Sequence, residues 1–236
     1  MTIHLLSDGT TFCYSNTEEP KVCYLHGWGR NSHDFIKIME LYPGIAVDLP
    51  GFGKTKSLDH SMNPFEYASY LNDILPPEIT TLVGHSFGGR VAVHLSLMRE
   101  INNLVLIGVP LLSNTRKDRG INKLSIFKFL NKVGLVSTET IESIKNKSGS
   151  IDYRNSEGVM RDTLVKAVND NLEDKLIEIK SNVKLIWGEN DTEVPVSIAK
   201  KSRELITNSE LTIIPNDGHN MLRSNSNSII EVLKTL

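Results

Sequence analysis

The chain has 236 residues, 39% hydrophobic and 23% charged, with a formal net charge of −2. That length suits one large domain with a buried core and room for an inserted subdomain. The near-neutral balance, a pI of about 6.4 and the lack of any basic stripe argue against a nucleic-acid partner.

Residues 1–10 hold only Leu5-Leu6 as an apolar pair and no basic run before it, so no export signal is expected. Thr10 to Tyr14 reads as an early strand, antiparallel at a sheet edge. Val22 to Leu25 is a compact apolar strand ending in His26-Gly27. Cys13 and Cys23 fall in these two runs and are expected to be buried thiols, in keeping with a reducing cytoplasm. Asp34 to Leu41 has helical spacing, and Ile45 to Val47 is the next strand, stopping at Asp48-Leu-Pro-Gly. Pro64 opens a helix that runs from Phe65 to Leu75 and ends before Pro76-Pro77.

Thr81 to Val83 is a strand running into Gly84-His-Ser-Phe-Gly-Gly89, followed by a helix over Val91 to Met98 and a strand over Leu104 to Ile107. The stretch from Leu104 to Leu112 is the most apolar in the chain. Gly108 and Pro110 interrupt it, and it is far too short to cross a bilayer, so no membrane association is expected. Residues 112–180 are rich in Lys, Asn, Ser, Asp and Glu and have helical spacing, with apolar faces at Leu124, Phe127 and Leu130 and at Leu164, Val165 and Val168. They read as a helical insertion between two parts of a core, residues 1–111 and 181–236. Val183 to Trp187 and Leu211 to Ile214 supply two more strands, with a crossover helix over Ser197 to Ile206. Short β-branched runs alternating with amphipathic stretches describe an α/β fold with a mostly parallel sheet.

Gly84-His85-Ser86-Phe87-Gly88 matches G-x-S-x-G at a strand-to-helix junction. Acyl transfer needs a hydroxyl held off its own backbone on a strained turn, and the glycines let strand and helix approach around it. A tetrahedral intermediate needs two backbone N–H donors. Phe87 follows the nucleophile and supplies one, and Trp28, in the loop after the Val22 strand, is the best candidate for the other. Asp191, just past the Trp187 strand, can accept from a histidine Nδ1–H, with Glu189 and Glu193 as neighbouring alternatives. His219 follows the last strand and is the base of this reading; Asp217 lies too near it in sequence to be the better partner. Four loops after four strands thus carry oxyanion donor, nucleophile, acid and base, in the order Ser86, Asp191, His219.

At this point the sequence resembles the α/β-hydrolase superfamily. The matching stretches are Leu25-His-Gly-Trp-Gly29, Val47-Asp-Leu-Pro-Gly-Phe-Gly53, Gly84-His-Ser-Phe-Gly-Gly89, Ile186-Trp-Gly-Glu-Asn-Asp191 and Gly218-His219. The resemblance implies a mostly parallel sheet of seven or eight strands, helices on both faces, a helical cap over the serine, and no metal or organic cofactor. The short N-terminal part suggests that one strand is missing or abbreviated. Serine at position 86, rather than aspartate, points away from dehalogenases and epoxide hydrolases. With this set of loops it is similar to the carboxylesterases, thioesterases, carbon–carbon bond hydrolases and aminopeptidases of the superfamily, and a serine esterase acting on a small-molecule acyl substrate is the expectation. A carbon–carbon bond hydrolase and a non-catalytic ligand receptor on the same fold are the alternatives.

Other motifs carry less. Gly51-Phe-Gly53-Lys54-Thr55 looks like the end of a P-loop, but the first glycine of that pattern is Asp48 here, so nucleotide binding is rejected. His85 reads as a packing or hydrogen-bonding residue rather than a second base. His33 and His94 read as helix residues facing solvent or satisfied partners. No set of His and carboxylates has metal-ligand spacing.

Overall fold

The computed structural model describes residues 2–112 and 151–236. The apolar faces expected at Leu124, Phe127 and Leu130 lie outside those residues.

An eight-stranded sheet runs in the order β1-β2-β4-β3-β5-β6-β7-β8. Its strands are β1 (Thr2–Leu5), β2 (Phe12–Ser15), β3 (Val22–Leu25), β4 (Ile45–Val47), β5 (Thr81–His85), β6 (Asn103–Ile107), β7 (Asn182–Gly188) and β8 (Ser209–Ile214). β3 to β8 are mutually parallel, while β2 pairs antiparallel with both β1 and β4. The sequence reading therefore needs two corrections. The N-terminal part is not missing a strand, and the edge belongs to Thr2–Leu5 rather than to the Cys13 run. β1 escaped notice because all four of its residues are exposed, so it has no buried face to leave a pattern.

The parallel strands are nearly continuous apolar runs because both faces are covered. Alternate residues separate cleanly. Leu82, Leu104, Leu106, Leu185 and Trp187 enter one core with α2 (Pro64–Ile74), α3 (Phe87–Ser96) and α7 (Val196–Leu205). Tyr24, Val83, Val105, Ile107 and Ile186 enter the other, with α1 (Ile36–Met39), α8 (Met221–Ser224) and α9 (Ser226–Leu233). The expected helix over Asp34 to Leu41 is shorter than its spacing suggested: a 3-10 turn, Ser32–Phe35, leads into the four residues of α1. α2 starts as expected, with Pro64 in its first turn. Asn63 caps it in a reciprocal box with Glu66.

Between β6 and β7 the described residues form α4 (Ile151–Asn155), α5 (Gly158–Val168) and α6 (Glu173–Leu176). On α5 the buried side is Thr163, Leu164 and Ala167. Val165 and Val168 are exposed, which corrects the apolar face drawn from spacing: only Leu164 of the three is covered. Further on, Leu172 and Leu176 are fully buried in the α2–α3–α7 core. No helix among the described residues is long and apolar enough to cross a membrane. Both cysteines are free and buried, and burial pushes the Cys13 thiol up to about 11.

Candidate active site

The carboxyl ends of β3, β5, β7 and β8 lie along one edge of the sheet, so the loops that follow them meet there. Ser86 leaves β5 at φ 50°, ψ −113°, a strained geometry for a residue with a side chain. The turn closes because its glycines are bare: a Cβ on Gly84 would sit 2.5 Å from the Gly89 Cα, and one on Gly88 2.3 Å from the Leu25 carbonyl.

His219, in the loop after β8, has Nε2 3.1 Å from the Ser86 Oγ. Its Nδ1 is 2.8 Å from Asp191 Oδ2. An ionised carboxylate only accepts, so Nδ1 carries the proton and Nε2 presents a lone pair to the hydroxyl. Asp191 is itself held, its Oδ1 accepting from the Glu193 and Val194 amides at 2.9 and 2.8 Å. Burial alone would lower the basicity of His219. The Asp191 hydrogen bond and the charges of Asp191, Glu193 and Asp152 outweigh it, and the net pKa is raised above the ordinary imidazole value.

The two alternative acids fall elsewhere. Glu189 accepts from the Asn216 amide at 3.1 Å. Glu193 approaches Nε2, not Nδ1, at 3.6 Å. Asp217 is engaged by the Ser224 hydroxyl.

The loop after β3 is fixed by His26. Its Nε2 accepts from the Leu49 amide at 3.0 Å, so its Nδ1–H donates to the Gly27 carbonyl at 2.8 Å. Trp28 then meets Phe52 and Phe87 edge-on, ring centroids 5.0 and 5.2 Å apart. The Phe87 amide opens α3, where the first N–H groups have no intrahelical acceptor. The glycine loop that looks like part of a P-loop wraps an internal anion instead. Asp48, 1% exposed, accepts from the Lys54 and Ser32 amides at 2.8 Å each.

A cavity of about 600 Å³ reaches Ser86 and His219, with Gly27, Trp28, Phe52 and Met160 in its wall. A second one also reaches Ser86, His219 and Trp28 and is lined besides by Phe87, Arg90, Leu164, Val194 and Ile198. Trp28 Nε1 donates to the Ser156 hydroxyl at 3.3 Å, joining the β3 loop to the segment before α5. Sequence reading missed Asp152, Ser156 and Arg90. A signal existed only for Arg90, four residues after Ser86 and so on the same face of α3. His94, one turn further on, takes the second of its two expected settings: it is buried, with Nε2 3.0 Å from an Asp170 carboxylate oxygen. Among the described residues no three His, Cys, Asp or Glu gather as a metal site would require.

The family model described as the alpha/beta hydrolase family matches residues 24–227, from within β3 through the whole of β8. The chain belongs to the alpha/beta hydrolase family. This hydrolase is 28% identical over 228 residues to the pimeloyl-[acyl-carrier protein] methyl ester esterase of Pseudoalteromonas atlantica, covering 85% of this chain and 87% of the relative. It is 27% identical over 233 residues to a 2-hydroxy-6-oxononadienedioate/2-hydroxy-6-oxononatrienedioate hydrolase of Escherichia coli, covering 82% and 76%. An esterase of Exiguobacterium antarcticum superposes with a TM-score of 0.73 at 20% identity, over 99% of this hydrolase and 98% of that chain. At that identity the likeness speaks for the fold.

Proposed function

We propose that this hydrolase is a serine esterase that cleaves a carboxylic ester or related acyl substrate through an acyl-enzyme, with Ser86, His219 and Asp191 as its triad. The observation that supports the reading best is the continuous relay from the Ser86 hydroxyl through the His219 ring to Asp191, at 3.1 and 2.8 Å. His219 Nε2 takes the hydroxyl proton as Oγ attacks the carbonyl carbon. Asp191 holds the tautomer and stabilises the imidazolium. The negative oxygen is received by the Trp28 and Phe87 amides, worth about 3 kcal/mol each in the transition state. Collapse breaks the ester bond, and His219 returns the proton to the leaving alcohol. Water, deprotonated by the same nitrogen, then releases the acid. Every step is served by side chains and amides of the chain, and no cofactor enters.

Residues 112–180 act in this reading as a cap that sets acyl selectivity, and the Trp28–Ser156 contact, made just before α5, supports it. The setting is the cytoplasm, where the two buried thiols stay reduced. Carbon–carbon bond hydrolysis of a vinylogous diketone is the second reading, favoured by the Escherichia coli relative.

Labelling with a fluorophosphonate tests the triad. Wild type labels and Ser86→Ala, still folded, does not; unchanged labelling of the variant removes Ser86 from its role. Turnover of p-nitrophenyl esters of rising acyl length then separates the readings. Esters inert alongside active hydrolysis of a ring-fission diketone move the assignment to the second. Tight binding of such a ligand with only single-turnover hydrolysis makes the protein a receptor.

A further inference from the structure

His85 takes no part in the chemistry above, yet its ring lies between two of the loops that perform it, those of Gly27 and His219. It is the last residue of β5, directly before Ser86, and 3% exposed. Its Nε2 lies 3.0 Å from the main-chain oxygen of His219. A carbonyl only accepts, so Nε2 carries the hydrogen and donates. Nδ1 is then a bare acceptor, buried and with no hydrogen-bond partner among the described residues. It is pressed against Gly27, where an added Cβ would come within 2.8 Å of it.

A buried acceptor without a donor is unfavourable, and an apolar side chain of similar size would fill the same space without creating one. Packing therefore does not account for an imidazole here. The other nitrogen does. The loop that carries His219 is tied to the loop after β7 through the Asn190 amide on the Asp217 carbonyl, 2.8 Å, and to α8 through the Ser224 hydroxyl on the Asp217 carboxylate. Among the described residues, the His85 bond is its one main-chain tether to the nucleophile turn.

We propose that His85 is a positioning residue for His219: by holding the main-chain carbonyl of the base, it sets the reach of Nε2 to the Ser86 hydroxyl. This rests on the triad reading above. His85 is not a second base, because its donor nitrogen is committed and its acceptor faces Gly27. It must also stay neutral. Its ring centroid is 5.0 Å from that of His219, so a charge there would oppose the imidazolium that forms in each step. Burial, with the nearby His219 adding to it, pulls its pKa down to about 4, which keeps a single neutral tautomer through the working range.

Three variants test the bond. In His85→Gln the side-chain amide nitrogen reaches the position of Nε2, in His85→Asn it reaches only that of Nδ1, and His85→Leu keeps volume without a donor. All are read by kcat and KM on p-nitrophenyl butyrate, by fluorophosphonate labelling rate and by thermal melting. His85→Asn and His85→Leu are expected to lose roughly 10- to 100-fold in kcat and labelling rate, with KM within about twofold. His85→Gln is expected to stay within about fivefold of wild type. Equal kcat in all three, or a loss confined to KM, overturns the proposal, and either of Asn or Leu that melts cooperatively is enough to decide it. A wild type that fails to label sinks the triad reading instead; labelling insensitive to residue 85 sinks only this one.

Discussion

Around His219 four polar groups compete for the charge on one ring: Ser86 on Nε2, Asp191 on Nδ1, and the carboxylates of Glu193 and Asp152 nearby, with the neutral His85 ring behind. The carboxylates favour the imidazolium, and in the proposed mechanism the base works only when that proton is lost. The acid limb of kcat/KM is therefore expected above the pH near 6.5 that an unperturbed histidine gives. Glu193→Gln removes one of the charges and should move the limb downward, and by less than losing Asp191 would, since Glu193 is 59% exposed and screened. A limb unmoved by that change, measured at low salt, refutes the contribution of Glu193. Ser86, His219 and Asp191 were legible because each follows a recognisable strand. Glu193 was legible only as a rival acid. Which nitrogen it faces depends on how two loops cross in space.

Between elements, the loop after β4 is organised by one buried carboxylate. Asp48 satisfies the Ser32 amide and hydroxyl on one oxygen and the Lys54 amide on the other, while Thr55 Oγ1 donates to its carbonyl at 2.6 Å. Asp48→Ala leaves the Ser32 and Lys54 donors without an acceptor, keeps the Thr55 bond to the main chain, and should cost about 2–4 kcal/mol. Urea unfolding measures it; a loss below about 1 kcal/mol would mean that water replaces the carboxylate. The interior strands were legible as apolar runs because burial on both faces demands them. α1 was overcalled because Phe35, Ile38 and Met39 are buried at helical spacing, and spacing cannot separate a 3-10 turn followed by four helical residues from one longer helix.

Across the whole molecule, the residues before β7 are bound to α3 by a buried polar cluster. Arg90 donates to the Asp170 carbonyl at 2.6 Å, and His94 meets the Asp170 carboxylate at 3.0 Å. Burial draws Arg90 down to about 10, so its charge depends on Asp170 for compensation. Asp170→Asn is expected to lower stability by about 1–3 kcal/mol and to leave Ser86 labelling in place. A variant as stable as wild type in chemical denaturation would show that the main-chain bond alone holds the helix.

The sequence by itself determined the parallel core, the strained serine turn and the three residue types at the ends of their strands, because backbone conformation and burial periodicity are local and leave local marks. Only the tertiary structure decided the exposed edge strand, the buried side of α5, the partner of each histidine nitrogen and the stranded Nδ1 of His85. Those depend on which distant atoms come within about 3 Å, and no spacing along the chain encodes that.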